Sequence, residues 1–399
     1  MDAPFLFVDQ IETAGKCCLV RLDLNVPLAD GTVSDDTRIR RVVPGLQALR
    51  ATGARLVILT HLGRPKGAFV PEMSVAPVAA ALAGLLGCDV PVEPDITGPG
   101  AKVAVGRLGD GDVVMMENLR FHAGEEANDS GFAAALAALG DIYVGDAFSC
   151  THRAHASVEA LPRMMKVATA GRALGEELTA LHRALADPAR PVAAIVGGAK
   201  VSTKLQVLEN LVTRVDALIL GGGMANTFLL ARGQDVGASL VEADMVDTAR
   251  AIEASAAAHG CFIGLPEDFL VAREFKENAP HRVARPGDVG AGEMILDAGP
   301  ASASAAAEYL AGCKTVVWNG PMGAFEIPPF DSATNSLAQA VGALTDAGSL
   351  LSVAGGGDTL AALANAGASD QFSYVSTAGG AFLEWLEGRE LPGVEALRR

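Results

Sequence analysis

Four arginines in the first half of the chain stand just behind apolar runs or at the start of a helical segment. They are Arg38 in SDDTRIRR, Arg64 in HLGR after LVILT, Arg120 in ENLR after DVVMM and Arg153 in THRAH after DIYVGDAF. Guanidinium forks match carboxylate and phosphate oxygens bidentately, so a set of them suits an anionic ligand. The other reading is four structural arginines paired with acids such as Asp23 and Glu117. Four at equivalent positions favour the pocket. The run VRLDLNV adds to it, because a two-residue period puts Arg21, Asp23 and Asn25 on one face and Leu22, Leu24 and Val26 on the other. A polar row on an otherwise buried strand is costly unless it is paired or used.

The second half carries glycine where the first carries charge. Its apolar runs end in Gly197-Gly198-Ala199-Lys200, Gly221-Gly222-Gly223, Asn319-Gly320-Pro321, Gly355-Gly356-Gly357-Asp358-Thr359 and Ala378-Gly379-Gly380. Glycine lets backbone N–H groups approach an anion, and a helix N-terminus adds a favourable dipole. One such turn has steric uses; five suggest a polyphosphate. Only eight of the 31 basic residues are lysines, and Lys200 and Lys204 stand four apart in GGAKVSTK, which predicts one helical face. A compact ammonium kept where arginine is the habit suits a phosphate. Asp358 reads as a helix N-cap or as a Mg²⁺ ligand beside substrate phosphates. His152 and His155 lack the cysteines or acids of a metal set and suit structural or substrate-bonding roles. His182, His259 and His281 have no motif around them.

These side chains need elements to hold them. CCLVRLDLNV, ARLVILT, DVVMME and DIYVGDAF read as strands, as do PVAAIV, DALIL, CFIGL, KTVVW, SLLSVA and FSYVS. Ala/Leu-rich segments such as VAPVAAALAGLLG and GFAAALAALG read as helices between them. Strands apolar on both faces, alternating with helices, indicate α/β architecture with parallel sheets covered on both sides. Ligands of such sheets bind beyond the carboxyl ends of the strands, where the arginines and glycines stand.

The length of 399 residues suggests two or three domains, and 50% apolar residues rule out a disordered chain. A boundary is expected at 171–190, where a helix-like stretch ends in Asp187-Pro188 before a new strand. A net charge of −16 argues against nucleic-acid or anionic-membrane partners. The N-terminus does not read as a signal peptide, and no apolar run reaches the roughly 18 residues of a membrane span. Six cysteines without CxxC spacing point to reduced thiols and a cytoplasmic setting. Neither GxxxxGK[ST] nor GxGxxG occurs, against a Walker-type loop or a dinucleotide fingerprint.

RLDLNVP, DDTRIR, THLGRPKG, ENLRFHAGEE, GDAF with HRAH, GGAKVSTK, GGGMANTF, VWNGPMGAFE, AGGGDT and STAGGA occur in that order. In these stretches the chain closely resembles the phosphoglycerate kinase family over nearly its whole length. The resemblance implies two Rossmann-like three-layer (αβα) domains separated by a cleft. Residues 1–172 with the tail 387–399 would bind 3-phosphoglycerate, 173–186 would form the interdomain helix or hinge, and 187–386 would bind MgATP or MgADP. It assigns the acid substrate to Asp23, Leu24, Asn25, Arg38, His61, Leu62, Gly63, Arg64, Arg120 and Arg153. It assigns the nucleotide to Lys204, Asn319, Glu326, Gly356, Gly357, Asp358 and Thr359, with Asp358 holding the metal. A monomer is sufficient.

The implied reaction is reversible phosphoryl transfer between ATP and the carboxylate of 3-phosphoglycerate, with domain closure. A carboxylate is already ionised at neutral pH and needs no general base, so catalysis rests on alignment and charge neutralisation. Arg38, Lys200 and Lys204 are the residues expected to do this, with Mg²⁺. A nicotinamide-dependent dehydrogenase would need the absent fingerprint, and a non-catalytic binder would have lost Arg38, Lys200, Lys204 or Asp358. Ser149 and Cys150 replace the glycine and small residue frequent in the family, and Ala378 stands where a third glycine is common; alanine resists positive φ.

Overall fold

A computed structural model describes residues 5–398. The first four residues, part of the N-terminal reading, and Arg399, the end of the expected tail, lie outside them. The chain divides into two compact units after Leu178 and returns to the first at Glu390. The expected divisions were 172, 187 and 387. The helix Arg172–Leu181 runs across the division and continues as a π-helical turn, His182–Ala186.

The first unit contains β1 (Cys17–Leu22), a small hairpin of β2 (Leu28–Ala29) and β3 (Thr32–Val33), β4 (Arg55–Leu59), β5 (Val92–Glu93), β6 (Val113–Met116), β7 (Ile142–Asp146) and β8 (Ala168–Ala170). Six of these form one sheet in the order β5-β6-β4-β1-β7-β8, and every neighbouring pair is parallel. All six residues of β1 are buried, as a strand covered on both faces requires. Helix Ala76–Leu86 shows how the covering elements are specified. Pro77 lies in its first turn, Val78, Ala79, Leu82 and Leu86 form the buried stripe, and Gly87 ends it at φ 66°.

The second unit contains β9 (Val192–Val196), β10 (Ala217–Leu220), β11 (Phe262–Gly264), β12 (Phe269–Ala272), β13 (His281–Ala284), β14 (Met294–Ala298), β15 (Thr315–Asn319), β16 (Leu351–Gly355) and β17 (Tyr374–Ser376). Its parallel sheet has the order β11-β10-β9-β15-β16-β17. An antiparallel sheet, β13-β12-β14, lies in the same unit. The sequence reading did not contain that sheet. Its strand β13 is exposed along His281–Val283 and has no continuous apolar run to announce it.

Both parallel sheets wind outward from a central strand, return, and wind the other way. The reversals fall between β1 and β7 and between β9 and β15, and the crevices at their carboxyl ends are the places where doubly wound sheets bind ligands. Among the described residues, no helix is long and apolar enough to cross a membrane.

Candidate active site

Four strands of the first unit deliver polar residues at their carboxyl ends. Asp23 and Asn25 follow β1, His61 and Arg64 follow β4, Arg120 follows β6, and Arg153 follows β7. The alternating face expected from Arg21 through Asn25 is therefore a correction. β1 ends at Leu22, so only Arg21 lies in the strand, while Asp23 and Asn25 belong to the loop beyond it.

Arg38 Nη1 donates to Asp23 Oδ2 at 2.7 Å and to the Asn25 carbonyl at 3.2 Å. Ser149 Oγ donates to the same Asp23 oxygen. Asn25 Oδ1 accepts from the Gly63 amide at 2.9 Å, and Arg120 Nη1 donates to the Gly63 carbonyl at 2.7 Å. Arg153 Nε donates to His152 Nε2 at 3.1 Å. Arg64 is exposed and has no hydrogen bond or ion pair within the described residues. The ion-pair reading is thus right for Arg38 with Asp23. It fails for Glu117, whose carboxylate accepts from Ser74 Oγ and from the Val75 and Asn118 amides. Leu24 and Leu62 are buried in the core, which leaves only their backbone groups to meet a ligand.

The electrostatics of this crevice point to an anion. Burial holds the His61 imidazole well below its ordinary pKa, and Arg21, Arg120 and Arg153 add to the effect. His155 is pushed down to about 4 by burial and then by Arg120, Arg21 and Arg153. Even the Arg120 guanidinium is lowered, by burial first and by the positive charge of Arg153 next. Like charges gathered this way repel until an anion lies among them.

The second unit builds its crevice largely from backbone. Gly197 sits so close to the following turn that a Cβ would lie 1.7 Å from the Pro321 carbonyl oxygen. Gly320, at φ 104°, faces back, and its Cβ would lie 2.2 Å from the Gly197 oxygen. Lys204 joins the two turns: Nζ donates to the Gly197 carbonyl at 2.6 Å and to the Asn319 carbonyl at 2.9 Å. Burial lowers its pKa to about 8, opposed by the Asp358 carboxylate. Asn319 Nδ2 donates to the Gly355 carbonyl at 2.7 Å, and Thr359 Oγ1 accepts from the Gly320 amide at 2.7 Å.

The common helical face expected for Lys200 and Lys204 is corrected, because both precede helix Leu205–Leu211. Lys200 lies exposed in the loop and Lys204 ends a 3₁₀ turn. Asp358 does not cap its helix either; Gly356 is the N-cap of Gly357–Asn365 and Asp358 stands exposed in the first turn. It has no hydrogen bond or ion pair within the described residues. One free carboxylate among glycine amides fits a hard divalent cation that keeps waters and takes phosphate oxygens as its remaining ligands. Ala378 adopts φ −99°, so its methyl group meets no left-handed strain.

Beside these loops lies a cavity of about 360 Å³, lined in part by apolar Leu240, Phe275 and Met322 and by acidic Asp297, Glu326 and Asp358. Asp297 was not anticipated. Its carboxylate accepts from the Ala298 and Ala333 amides and from Ser332 Oγ, while burial pushes its pKa up to about 8. Its strand, β14, belongs to the unanticipated sheet, although the acid inside MILDAGP was a usable signal. Ser157 and Glu125 were not singled out from the sequence, and Arg21 was read only as part of the polar row of VRLDLNV.

A family model described as phosphoglycerate kinase matches residues 8–389. The chain belongs to the phosphoglycerate kinase family. It is 58% identical over 395 residues to a phosphoglycerate kinase of Azorhizobium caulinodans, covering 99% of each chain. It is also 58% identical over 393 residues to one from Rhodospirillum centenum, covering 98% of this chain and 99% of the other. The solved phosphoglycerate kinase of Coxiella burnetii superposes with a TM-score of 0.93 at 44% identity, covering 99% of both chains. That of Pyrococcus horikoshii gives 0.78 at 30%, covering 98% of both. The chain is thus an enzyme of the phosphoglycerate kinase type, and its two α/β units are the family's two Rossmann-like domains.

Proposed function

We infer that the first unit binds 3-phosphoglycerate, that the second binds ATP or ADP with Mg²⁺, and that phosphoryl transfer follows when the units close. The family's reaction is the reversible conversion of ATP and 3-phosphoglycerate into ADP and 1,3-bisphosphoglycerate. The observation that carries the subsite assignment is the contrast of charge. Arg38, Arg64, Arg120, Arg153 and His61 stand around one crevice, while the other is largely backbone with one half-buried ammonium.

In the first unit, Arg64 has no partner among the described residues and is free to bind substrate oxygens, as Arg120 and Arg153 are with their remaining donors. Asn25 and Asp23 hold the loop and orient Arg38 for the reacting carboxylate. Backbone amides of Gly63 and its neighbours supply further donors. Leu24 and Leu62 contribute shape alone. In the second unit the apolar part of the cavity suits the nucleotide base, and the turns at Gly197, Gly320 and Gly356–Thr359 suit its phosphates. Lys204 neutralises phosphate charge and Lys200 approaches from the exposed loop. Asn319 and Glu326 bound the same region. Asp358 would hold Mg²⁺, which when bound offsets phosphate charge and orients the terminal phosphoryl group.

The step balances without an acid or base. A carboxylate oxygen of 3-phosphoglycerate forms a bond to the γ-phosphorus, the bond from that phosphorus to the bridging oxygen breaks, and ADP leaves with the electron pair. Arg38 and the two lysines stabilise the charge spread over the transferred group. The segment 173–186 serves as the hinge. A soluble monomer in the cytoplasm completes the reading.

Purified protein with ATP, Mg²⁺ and 3-phosphoglycerate tests it, with hydroxylamine trapping the acyl phosphate. Hydroxamate should form only with both substrates and the metal. ATP hydrolysis of equal rate without 3-phosphoglycerate would overturn the acceptor assignment.

A further inference from the structure

Arg21 sits inside β1 at 1% exposure, and the phosphoryl transfer described above makes no use of it. Nothing buries a guanidinium this deeply without satisfying its donors. Nε donates to Ser157 Oγ at 2.8 Å, Nη1 to the Leu22 carbonyl, and Nη2 to His61 Nδ1 at 3.1 Å, with Cys150 Sγ at 3.8 Å. Its counter-charge is one residue removed. Ser157 Oγ donates to Glu125 Oε1 at 2.6 Å, the Ser157 amide donates to Oε2 at 2.9 Å, and Glu125 is fully buried. Arg21 therefore donates both ways, through Ser157 toward Glu125 and directly to the imidazole of His61.

The direction of the last bond follows from chemistry. A guanidinium nitrogen donates and never accepts, so Nδ1 of His61 must offer its lone pair and the ring proton must sit on Nε2. Turning the ring over would put a carbon-bound hydrogen against the guanidinium and leave that buried donor unpaired. We propose that Arg21 is a positioning residue that holds His61 as the neutral tautomer protonated on Nε2, so that the ring offers one fixed donor to the anion bound in this crevice.

The surroundings agree. Arg21 faces the ring from β1, Arg120 from the turn after β6, and Arg153, His155 and Cys150 from the segment after β7. Arg21, Arg120, Arg153 and His155 each disfavour an imidazolium. The Asp23 carboxylate comes within 4.8 Å of the His61 and Cys150 ligand atoms. It is already held by Arg38 and Ser149. A donor that takes up no proton keeps its geometry as the anion arrives, which is the advantage of fixing the tautomer beforehand.

The inference rests on the placement of 3-phosphoglycerate in this crevice, and one experiment separates the two. In full-length protein labelled with ¹⁵N at histidine, the His61 ring nitrogens are assigned and followed from about pH 5 to pH 8, free and with saturating 3-phosphoglycerate. The expected result is an unprotonated Nδ1 and a protonated Nε2 throughout, with the Nε2 signal displaced by substrate. A proton on Nδ1, or titration near the ordinary value of about 6.5, overturns the tautomer whatever the substrate does. The expected tautomer with an unmoved Nε2, while the His152 and His155 signals shift with substrate, overturns the donor role alone; no shift at any of the three overturns the placement of 3-phosphoglycerate.

Arg21→Met and Arg21→Lys give the functional readout. Lysine keeps the charge but cannot hold Ser157, Leu22 and His61 at once. Both variants should raise KM for 3-phosphoglycerate by about 10- to 100-fold, with KM for ATP within about twofold. They should also restore exchange between the two His61 tautomers in the ¹⁵N spectrum. A folded Arg21→Lys protein with His61 still locked on Nε2 would overturn the role assigned to Arg21.

Discussion

Where β1 and β7 part, the first unit presents Asp23, Arg38, His61 and Arg120. Where β9 and β15 part, the second presents Gly197, Asn319, Gly320 and the ammonium of Lys204 between two carbonyls. The strand orders differ, but both sheets reverse beside their first strand, and the chemistry at the two reversals is opposite. Side-chain recognition lets each residue be altered without disturbing the chain path. Backbone recognition makes the binding surface and the fold the same object, because two turns packed to Cβ-excluding distance cannot accept a methyl group. A small, highly charged acid needs several forked donors converging on it. Phosphates next to a large apolar base need many modest N–H groups that leave room for the base.

Replacing single residues in each unit tests that difference. Arg38→Ala should show the largest loss, lowering kcat by about 10³-fold while the nucleotide Kd changes by less than about twofold. Steady-state kinetics with separate nucleotide titration measures both, and equal losses would remove Arg38 from the transferred group. Gly197→Ala should weaken nucleotide binding by about tenfold or more and lower the melting midpoint by about 3–10 °C together, because the added methyl meets the Pro321 carbonyl. Calorimetry and a thermal melt on one sample suffice, and loss of binding with an unchanged melt would break the comparison. Arg64→Ala is its counterpart. The exposed side chain has no partner among the described residues, so KM for 3-phosphoglycerate should rise by about 10- to 100-fold with the melt unchanged.

A pH series adds a sign. The Lys204 ammonium is lost above about pH 8 in the folded protein, so kcat/KM for ATP should fall by up to about tenfold per unit beyond that point. The same shift makes Lys204's contribution to stability rise with pH between about 8 and its ordinary value of 10.5, since there only the unfolded chain holds the proton. Activity and this part of stability thus move in opposite directions. The smallest effect is expected at Ala378→Gly. Its φ is already negative, so glycine relieves nothing and costs about 0.5–1 kcal/mol through chain entropy, seen as a slightly lower melt with kcat unchanged.

Much of this was legible beforehand. The ten apolar runs taken as strands became the four inner strands of the first parallel sheet and all six strands of the second, because a strand within such a sheet writes itself as a short apolar segment. The residues that follow them were legible for the same reason: in a parallel sheet, whatever follows a strand lies at the ligand-binding edge. The two- and three-residue edge strands β5 and β8 escaped, as did the antiparallel sheet β13-β12-β14, of which only β12 is buried throughout. So did the end of β1 at Leu22, since alternation of residue types continues through a loop as readily as through a strand.

The sequence by itself determined the residue types and the chain order, and with them the α/β class, the two sets of strand ends and the family. Only the tertiary structure decided which donors are already engaged. Arg38 is tied to Asp23 and Arg64 is free, Lys204 bridges two turns and Lys200 does not, and Arg21 directs His61 through partners 40 to 136 residues away. The physical reason is that residue type fixes how many hydrogen bonds a group can make. Burial and distance between segments remote in sequence decide which of them are made and which remain for a ligand.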